Sequence, residues 1–325
     1  MKPSKTISEQ IEILKSRNLI IEDEIKAGES LLKYNYYRLS GYWRKYQKKT
    51  KEKYGDRDDN FVDNTTFEKI LVIYELDALL ATLLLEGIRV FEVCFRTRFA
   101  YYMAHSKPDG QFLYVNPDSY NEVKVTKKEK PKVLHNTIES EINQNSYDSK
   151  VNEKEEPKDL HSKIESEIYR SKDRFIRHYI KKEKDENKIP IWVAVELLSF
   201  GTISQMYSRW KDKEVVKKVS TSFNFFKSYN YSIHIIRSFV VLRNSCAHHA
   251  RIWNRKLAVK INNKITDKIY LREIETIKEN SQWRLIATLM ALVDEINKNE
   301  SYSTRIMKLC KKNEEFYKGL INPTL

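Results

Sequence analysis

The chain has 325 residues, of which 41% are hydrophobic and 32% charged, with only seven Gly and seven Pro. So few turn-formers argue against an all-β architecture. With no GxGxxG or GxxxxGK[ST] string there is no Gly-rich phosphate loop of an α/β nucleotide fold, and the expectation is an all-α protein. Fifty-nine Lys and Arg against 45 Asp and Glu give a net charge of +14, which suits a polyanionic partner, either nucleic acid or an anionic membrane surface.

Thr6 or Ser8 caps a first helix over Glu9–Arg17, with Ile11 and Leu14 facing inward. No signal-peptide core is visible in MKPSKTISEQIEILK, and no apolar run approaches the ~18–20 residues of a membrane span. Asp23–Leu32 forms a second helical segment leading into KYNYYRLSGYWRKYQKK, where Tyr34, Tyr36, Tyr37, Tyr42, Trp43 and Tyr46 interleave with Lys33, Arg38, Arg44 and Lys45. Rings beside cations stack bases and hold phosphates, which makes Tyr37, Arg38 and Arg44 candidates for RNA contact. The competing reading is an aromatic packing anchor with a solvated basic rim, and the usual burial of such rings favours it.

Residues 51–64 read as a polar connection. Asn64 or Thr65 then caps a long helix from Phe67 to about His105. Ile70, Ile73, Leu76, Leu80, Leu83, Leu84, Ile88 and Phe91 recur on it near a 3.6-residue period. Residues 121–188 differ in kind: they hold 17 basic and 15 acidic side chains and an internal repeat. KEKPKVLHNTIESEI (128–142) aligns with KEEPKDLHSKIESEI (154–168) at an offset of 26. Two copies fall short of a solenoid, so the expectation is a duplicated insertion of two short charged helices, each started by its Pro. His135 and His161 repeat with it, but too few further ligands stand nearby for a metal site. The organisation expected is an N-terminal aromatic–basic region (1–60), a first part of the helical core (61–120), the charged insertion (121–173) and a second part of the core (174–325). In the last part, Pro190 starts a helix, Gly201 interrupts it, and Thr202 caps the next.

From Val215 to Thr266 there is no Asp or Glu, while ten Lys or Arg and His234, His248 and His249 are present. Such a stretch attracts phosphate, unless acids from other helices neutralise it. If YSIHIIRSFVVLRNSCAHHARIWNRK (231–256) is helical, Ile236, Val240, Ala247 and Ala250 share an inner face with Arg243. Arg237, Asn244, His248, Arg251 and Arg255 then form a second stripe, with Lys256 beside it. A carboxylate-free set fits poorly with two-metal nuclease chemistry. Imidazole and guanidinium suffice for metal-independent RNA cleavage, in which the 2′-hydroxyl attacks the neighbouring phosphorus. An imidazole moves the proton and arginine stabilises the phosphate charge, leaving a 2′,3′-cyclic phosphate and a 5′-hydroxyl.

The string RNSCAH, Arg243 to His248, fits the R-x4–6-H signature and resembles that of HEPN-domain ribonucleases. The wider RNSCAHHARIWNR is similar to the motif of the Abi-like proteins of bacterial abortive phage infection. NYYRLSGYW (35–43), the Asp77–Arg96 helix with Glu92 and Arg96, and PIWVAVELLSFGTISQMY (190–207) resemble that family's other blocks, in order. The resemblance implies an all-α HEPN-type bundle with an N-terminal helical extension and a charged insertion. It also implies a metal-independent endoribonuclease without a small-molecule cofactor, acting as a homodimer, since HEPN sites form from two such motifs and this chain has one. Carried over, Arg243 and His248 are catalytic and Asn244 orients them. His249, Arg251, Asn254 and Arg255 position RNA or support the site, as Glu92 and Arg96 support the scaffold. A toxin–antitoxin setting and a structured small-RNA partner are implied as well.

The three cysteines, Cys94, Cys246 and Cys310, stand far apart without a CxxC pair, as expected of a chain in a reducing cytoplasm. Cys246, Trp192 and Trp253 are expected in packing roles, and a buried salt bridge from Arg243 to Glu92 or Glu86 is the alternative to catalysis. Two other functions stay open on the residues alone. One is a non-catalytic RNA-binding protein that grips phosphates with the same stripe; the other is a regulatory protein whose basic face meets an acidic partner.

Overall fold

Thr6 begins the first helix with a reciprocal cap: its hydroxyl accepts the Glu9 N–H at 3.2 Å, and the Glu9 carboxylate accepts the Thr6 N–H at 2.7 Å. This pairing satisfies two of the donors that a helix start leaves open. The resulting helix α1 (Ile7–Ser16) buries Ile11 and Leu14, as its pattern predicts. Asp23 caps α2 (Glu24–Tyr34) with a single bond, its carboxylate accepting the Lys26 N–H, and Asn35, at φ 68°, turns the chain into α3 (Tyr36–Trp43). The computed structural model describes residues 4–50, 57–122, 159–171, 189–226, 228–258, 260–261 and 277–324.

The polar connection expected over 51–64 is partly strand. Strand β1 (Gln47–Lys49) pairs antiparallel with β2 (Arg57–Phe61), placing Gln47 opposite Phe61 and Lys49 opposite Arg57. RDDNF carries almost no β-forming side chains, so its pairing rests on the backbone and on two anchors. Phe61 is fully buried, and Arg57 donates to the Lys45 and Gln47 carbonyls at 2.8 Å. The described residues are otherwise helical, so the all-α expectation holds apart from this small sheet.

Helix α4 (Phe67–Ala104) is the spine. At 1.5 Å per residue its 38 residues span roughly 57 Å. Its limits match the expected ones within a residue, but Thr66 caps it rather than Asn64 or Thr65. Thr65 is already committed, with its hydroxyl donating to the Val62 carbonyl and its backbone bridged to Ile20. Phe91, Phe95 and Phe99 recur at i, i+4 and therefore share one face, with their rings stacked at 5.9 and 6.0 Å. Phe223, Tyr207 and Trp210 meet that ladder edge-on or tilted.

The remaining helices wrap this spine: α5 (Leu160–Arg170), α6 (Ile191–Leu197), α7 (Phe200–Arg209), α8 (Lys213–Ser222), α9 (Tyr229–Ala247), α10 (Gln282–Asn297), α11 (Ser301–Cys310) and α12 (Glu314–Ile321). Helices α3 and α6 to α11 all touch α4. The break between α6 and α7 falls at Leu198–Ser199, not at Gly201. Ser199 is extended and its hydroxyl caps Thr202 N–H, whereas Gly201 continues the helix where Val240 packs close.

Helix α5 is the second copy of the repeat. It is capped by the Asp159 side chain and lays Leu160, Ile164 and Ile168 into the core. Its Glu167 carboxylate accepts from Ser199 N–H at 2.7 Å and from the Thr202 hydroxyl at 2.7 Å, adding negative charge at the start of α7. The first copy, with His135, and Pro157 lie outside the described residues. Trp192, expected in the core, is 54% exposed because α6 turns only Ile191, Ala194 and Val195 inward.

Candidate active site at the end of helix α9

Ser228 caps α9, whose inner face is Ile235, Ile236, Phe239, Leu242 and Cys246, and Phe239 meets Phe91 at 5.0 Å. That packing turns Arg243 outward. It stands on the exposed side with Ala247, not on an inner face with Ile236. Neither proposed salt-bridge partner reaches it, since Glu92 pairs with Arg96 and Glu86 with Arg305. Arg243 Nη1 instead donates to its neighbour Asn244 Oδ1 at 3.3 Å, and His248, also exposed, closes the helix as its last cap. Among the described residues neither Arg243 nor His248 forms an ion pair.

The helix ends here, so Arg251 and Arg255 leave the stripe that a continued helix would give them. The ending is a left-handed cap. His249 takes φ 56°, its N–H reaches the Cys246 carbonyl at 3.1 Å, and Ala250 N–H reaches Ser245 at 2.8 Å. Glycine usually fills that position because a side chain there is strained. An imidazole in its place leaves His249 and His248 side by side at the surface.

Beyond the cap the chain dives inward. Ile252, Trp253 and Asn254 are almost completely buried. Their partner is a carboxylate that the sequence reading passed over, Asp77 on α4. Asp77 Oδ2 accepts the Ile252 N–H at 3.0 Å and the Tyr42 hydroxyl at 2.7 Å, while Oδ1 accepts the Trp253 N–H at 3.0 Å. Burial pushes its pKa up to about 6, against the pull of those three donors and of Arg251. Asp77 interrupts the apolar series Ile73, Leu80 and Leu84, and that interruption was the signal available, because an acid on a buried stripe needs partners.

The aromatic–basic block of α3 meets this turn. Tyr42 and Tyr46 stack on Trp253 at 6.4 and 6.3 Å, and Tyr42, Trp43 and Tyr46 are buried, so these rings pack as expected. Arg38 Nη1 donates to the His249 carbonyl at 2.7 Å, and Arg251 Nη1 donates to the Gly41 carbonyl. Burial lowers the pKa of Arg251, and the nearby Arg255 and Arg44 add to that, opposed by Tyr42 and Asp77. Arg38 thus reaches the His249 backbone and Arg44 and Arg255 lie near Arg251, while Tyr37 is 81% exposed.

The other candidates spread outward. Arg237 donates to Ser208 Oγ at 3.0 Å, and loss of solvent and the adjacent Arg209 lower its pKa. Lys256 is exposed. Asn254 faces away from solvent, its Oδ1 accepting the Thr324 N–H at 2.7 Å. Glu92 and Arg96 act elsewhere: Arg96 donates to the Val195 and Leu198 carbonyls and holds the end of α6. Cys246 is buried, and burial first, then Asp77, push its thiol up to about 12. No group of three His, Cys, Asp or Glu suited to a metal occurs among the described residues. No helix there is long and apolar enough to cross a membrane.

Fold and site together define a helical protein, with one small sheet, that presents an exposed Arg-x4-His pair at the end of a helix packed on α4. Residues 29–254 match the Abi-like protein family, and the chain belongs to that family. Membership points to abortive infection as its setting. No curated protein and no solved structure matches the chain.

Proposed function

We propose that the protein is a metal-independent endoribonuclease of the HEPN type, acting as a homodimer in abortive infection. One observation carries this reading: Arg243 and His248 are both solvent-exposed, five residues apart at the end of α9, and unpaired with any acid among the described residues. A structural arginine would have taken Glu92 or Glu86, both of which are engaged elsewhere.

The chemistry follows from the side chains. One His248 imidazole accepts the proton of a ribose 2′-hydroxyl as its oxygen bonds to the adjacent phosphorus. The P–O5′ bond breaks, and the second protomer's imidazolium returns a proton to the leaving oxygen. Arg243 stabilises the charge gathered on the phosphate oxygens, and Asn244 holds its guanidinium. Arg38, Arg44 and Arg255, with Arg237 and Lys256, hold flanking phosphates, while Arg251 braces the turn against Gly41. A structured small RNA or an antitoxin that restrains cleavage fits the same basic face.

The test is cleavage of RNA in EDTA. The wild-type protein should leave 2′,3′-cyclic phosphate ends and spare DNA. His248→Ala and Arg243→Ala should each lose at least ~10³-fold in rate with unchanged thermal unfolding. Undiminished cutting by His248→Ala removes the proposed base. Tight, salt-dependent RNA binding without any cyclic-phosphate product favours a phosphate-gripping protein instead.

A further inference from the structure

Consider how the residues after His248 are held. His248 N–H goes to Asn244, His249 N–H to Cys246, and Ala250 N–H to Ser245. Ile252 and Trp253 N–H then go to the two oxygens of Asp77. Only Arg251 stands between the helix cap and this clamp, and its guanidinium is fixed to Gly41. The His249 carbonyl accepts from Arg38. The path of the turn is therefore set at nearly every residue, and it leads back to one carboxylate.

The carboxylate answers three buried donors, the Ile252 and Trp253 N–H groups and the Tyr42 hydroxyl, which would otherwise lack an acceptor. Asp77 is 2% exposed on a helix whose neighbouring inward positions are Ile73, Leu80 and Leu84. A buried charge is costly, and an apolar side chain there would avoid that cost only by leaving these three donors unpaired. What a carboxylate adds is direction: two oxygens accept two successive N–H groups and so fix the register of residues 252 and 253. The Tyr42 hydroxyl on Oδ2 fixes the carboxylate in turn. Helices α3, α4 and α9 come from three separate stretches of sequence and meet at this group.

We infer that Asp77, oriented by Tyr42, is a positioning residue that fixes the turn carrying His248 and His249 relative to Arg243. The inference deepens the ribonuclease reading and rests on it for its catalytic consequence, though not for its geometry. Asp77 touches no substrate. It acts by setting where an imidazole at a helix end can stand, and a displacement of about 1 Å there costs on the order of 100-fold in rate.

The experiment uses the full-length protein, Asp77→Asn and Tyr42→Phe, with three readouts. These are single-turnover cleavage at saturating protein, the Kd for an RNA carrying a 2′-O-methyl group at the scissile ribose, and the imidazole resonances of 15N-histidine-labelled protein, assigned with His248→Ala. Asp77→Asn should cut about 100-fold more slowly while Kd changes less than about 3-fold. The His248 and His249 resonances should shift while His105 and His234 hold still. Tyr42→Phe should show the same pattern at about 5-fold; if Asp77→Asn does not fold, Tyr42→Phe decides alone. A folded variant that cuts at the wild-type rate, or one losing rate and affinity in proportion, overturns the inference. If the wild-type protein cuts no RNA, the ribonuclease reading fails by itself. The resonances then decide: a shift confined to His248 and His249 sustains the positioning role, and unmoved resonances end it.

Discussion

Helix α4 is built in two ways along its length. Between Phe91 and Phe99 its inward face is a ladder of rings, met by Phe200, Tyr207, Phe223 and Phe239. One region earlier, at Asp77, it offers a carboxylate to two backbone amides and a tyrosine. Apolar packing is strong but has little direction, so rings tolerate small slides. Hydrogen bonds to a buried acid contribute little net stability but are exacting in geometry. The two regions thus divide the labour: one holds the bundle together and the other sets where a surface turn stands.

Three changes test that division. The largest expected effect is at the ladder. Phe95→Ala should cost about 4 kcal/mol in chemical unfolding, since a fully buried ring leaves a cavity between its neighbours. Cleavage per folded molecule should stay as it was, and a loss of activity beyond the loss of folded protein would blur the distinction.

The next effect is electrostatic. With a pKa of about 6 against ~3.9 unfolded, Asp77 binds a proton more readily in the folded state. Its contribution therefore weakens the fold as pH rises through about 4 to 6, reaching about 3 kcal/mol by pH 7. Asp77→Asn lacks this penalty. The stability of wild type minus that of Asp77→Asn should fall across the window, and a flat difference would contradict a buried acid there.

The smallest effect sharpens the contrast at the turn itself. His249 sits at φ 56° in a position that glycine fills with less strain. His249→Gly should raise stability by about 1 kcal/mol. If RNA cleavage or binding falls in the same variant, the strain is retained for the imidazole rather than for the fold.

Much of this was legible in the sequence. The cap at Thr6 and the extent of α4 follow from local spacing. The Arg243–His248 pair stands out as a motif, and both residues lie exposed at the end of α9. What escaped depends on distant partners. The end of α9 is fixed where Ile252 and Trp253 meet Asp77, some 175 residues away in the chain. The break at Ser199 is favoured by Glu167 on α5, and the strand at Arg57–Phe61 by its backbone pairing with Gln47–Lys49. A window of local periodicity carries none of these. Periodicity alone puts Arg243 on the inner stripe with Ile236 and Val240, but the apolar face runs one step around the helix, through Ile235, Phe239, Leu242 and Cys246, and leaves Arg243 outside.

The family match stops at residue 254, yet the fold around that residue does not. The Trp253 indole donates to the Phe316 carbonyl and lies over Gly319, where a methyl group would stand 2.1 Å from its nitrogen. Asn254 is tied to Thr324, and α10 lies along the spine. A fragment trimmed to the matched span would therefore strip the lid from its own signature tryptophan and bare the flank of α4. Expression boundaries for this family are better drawn from what covers the motif than from where sequence similarity fades.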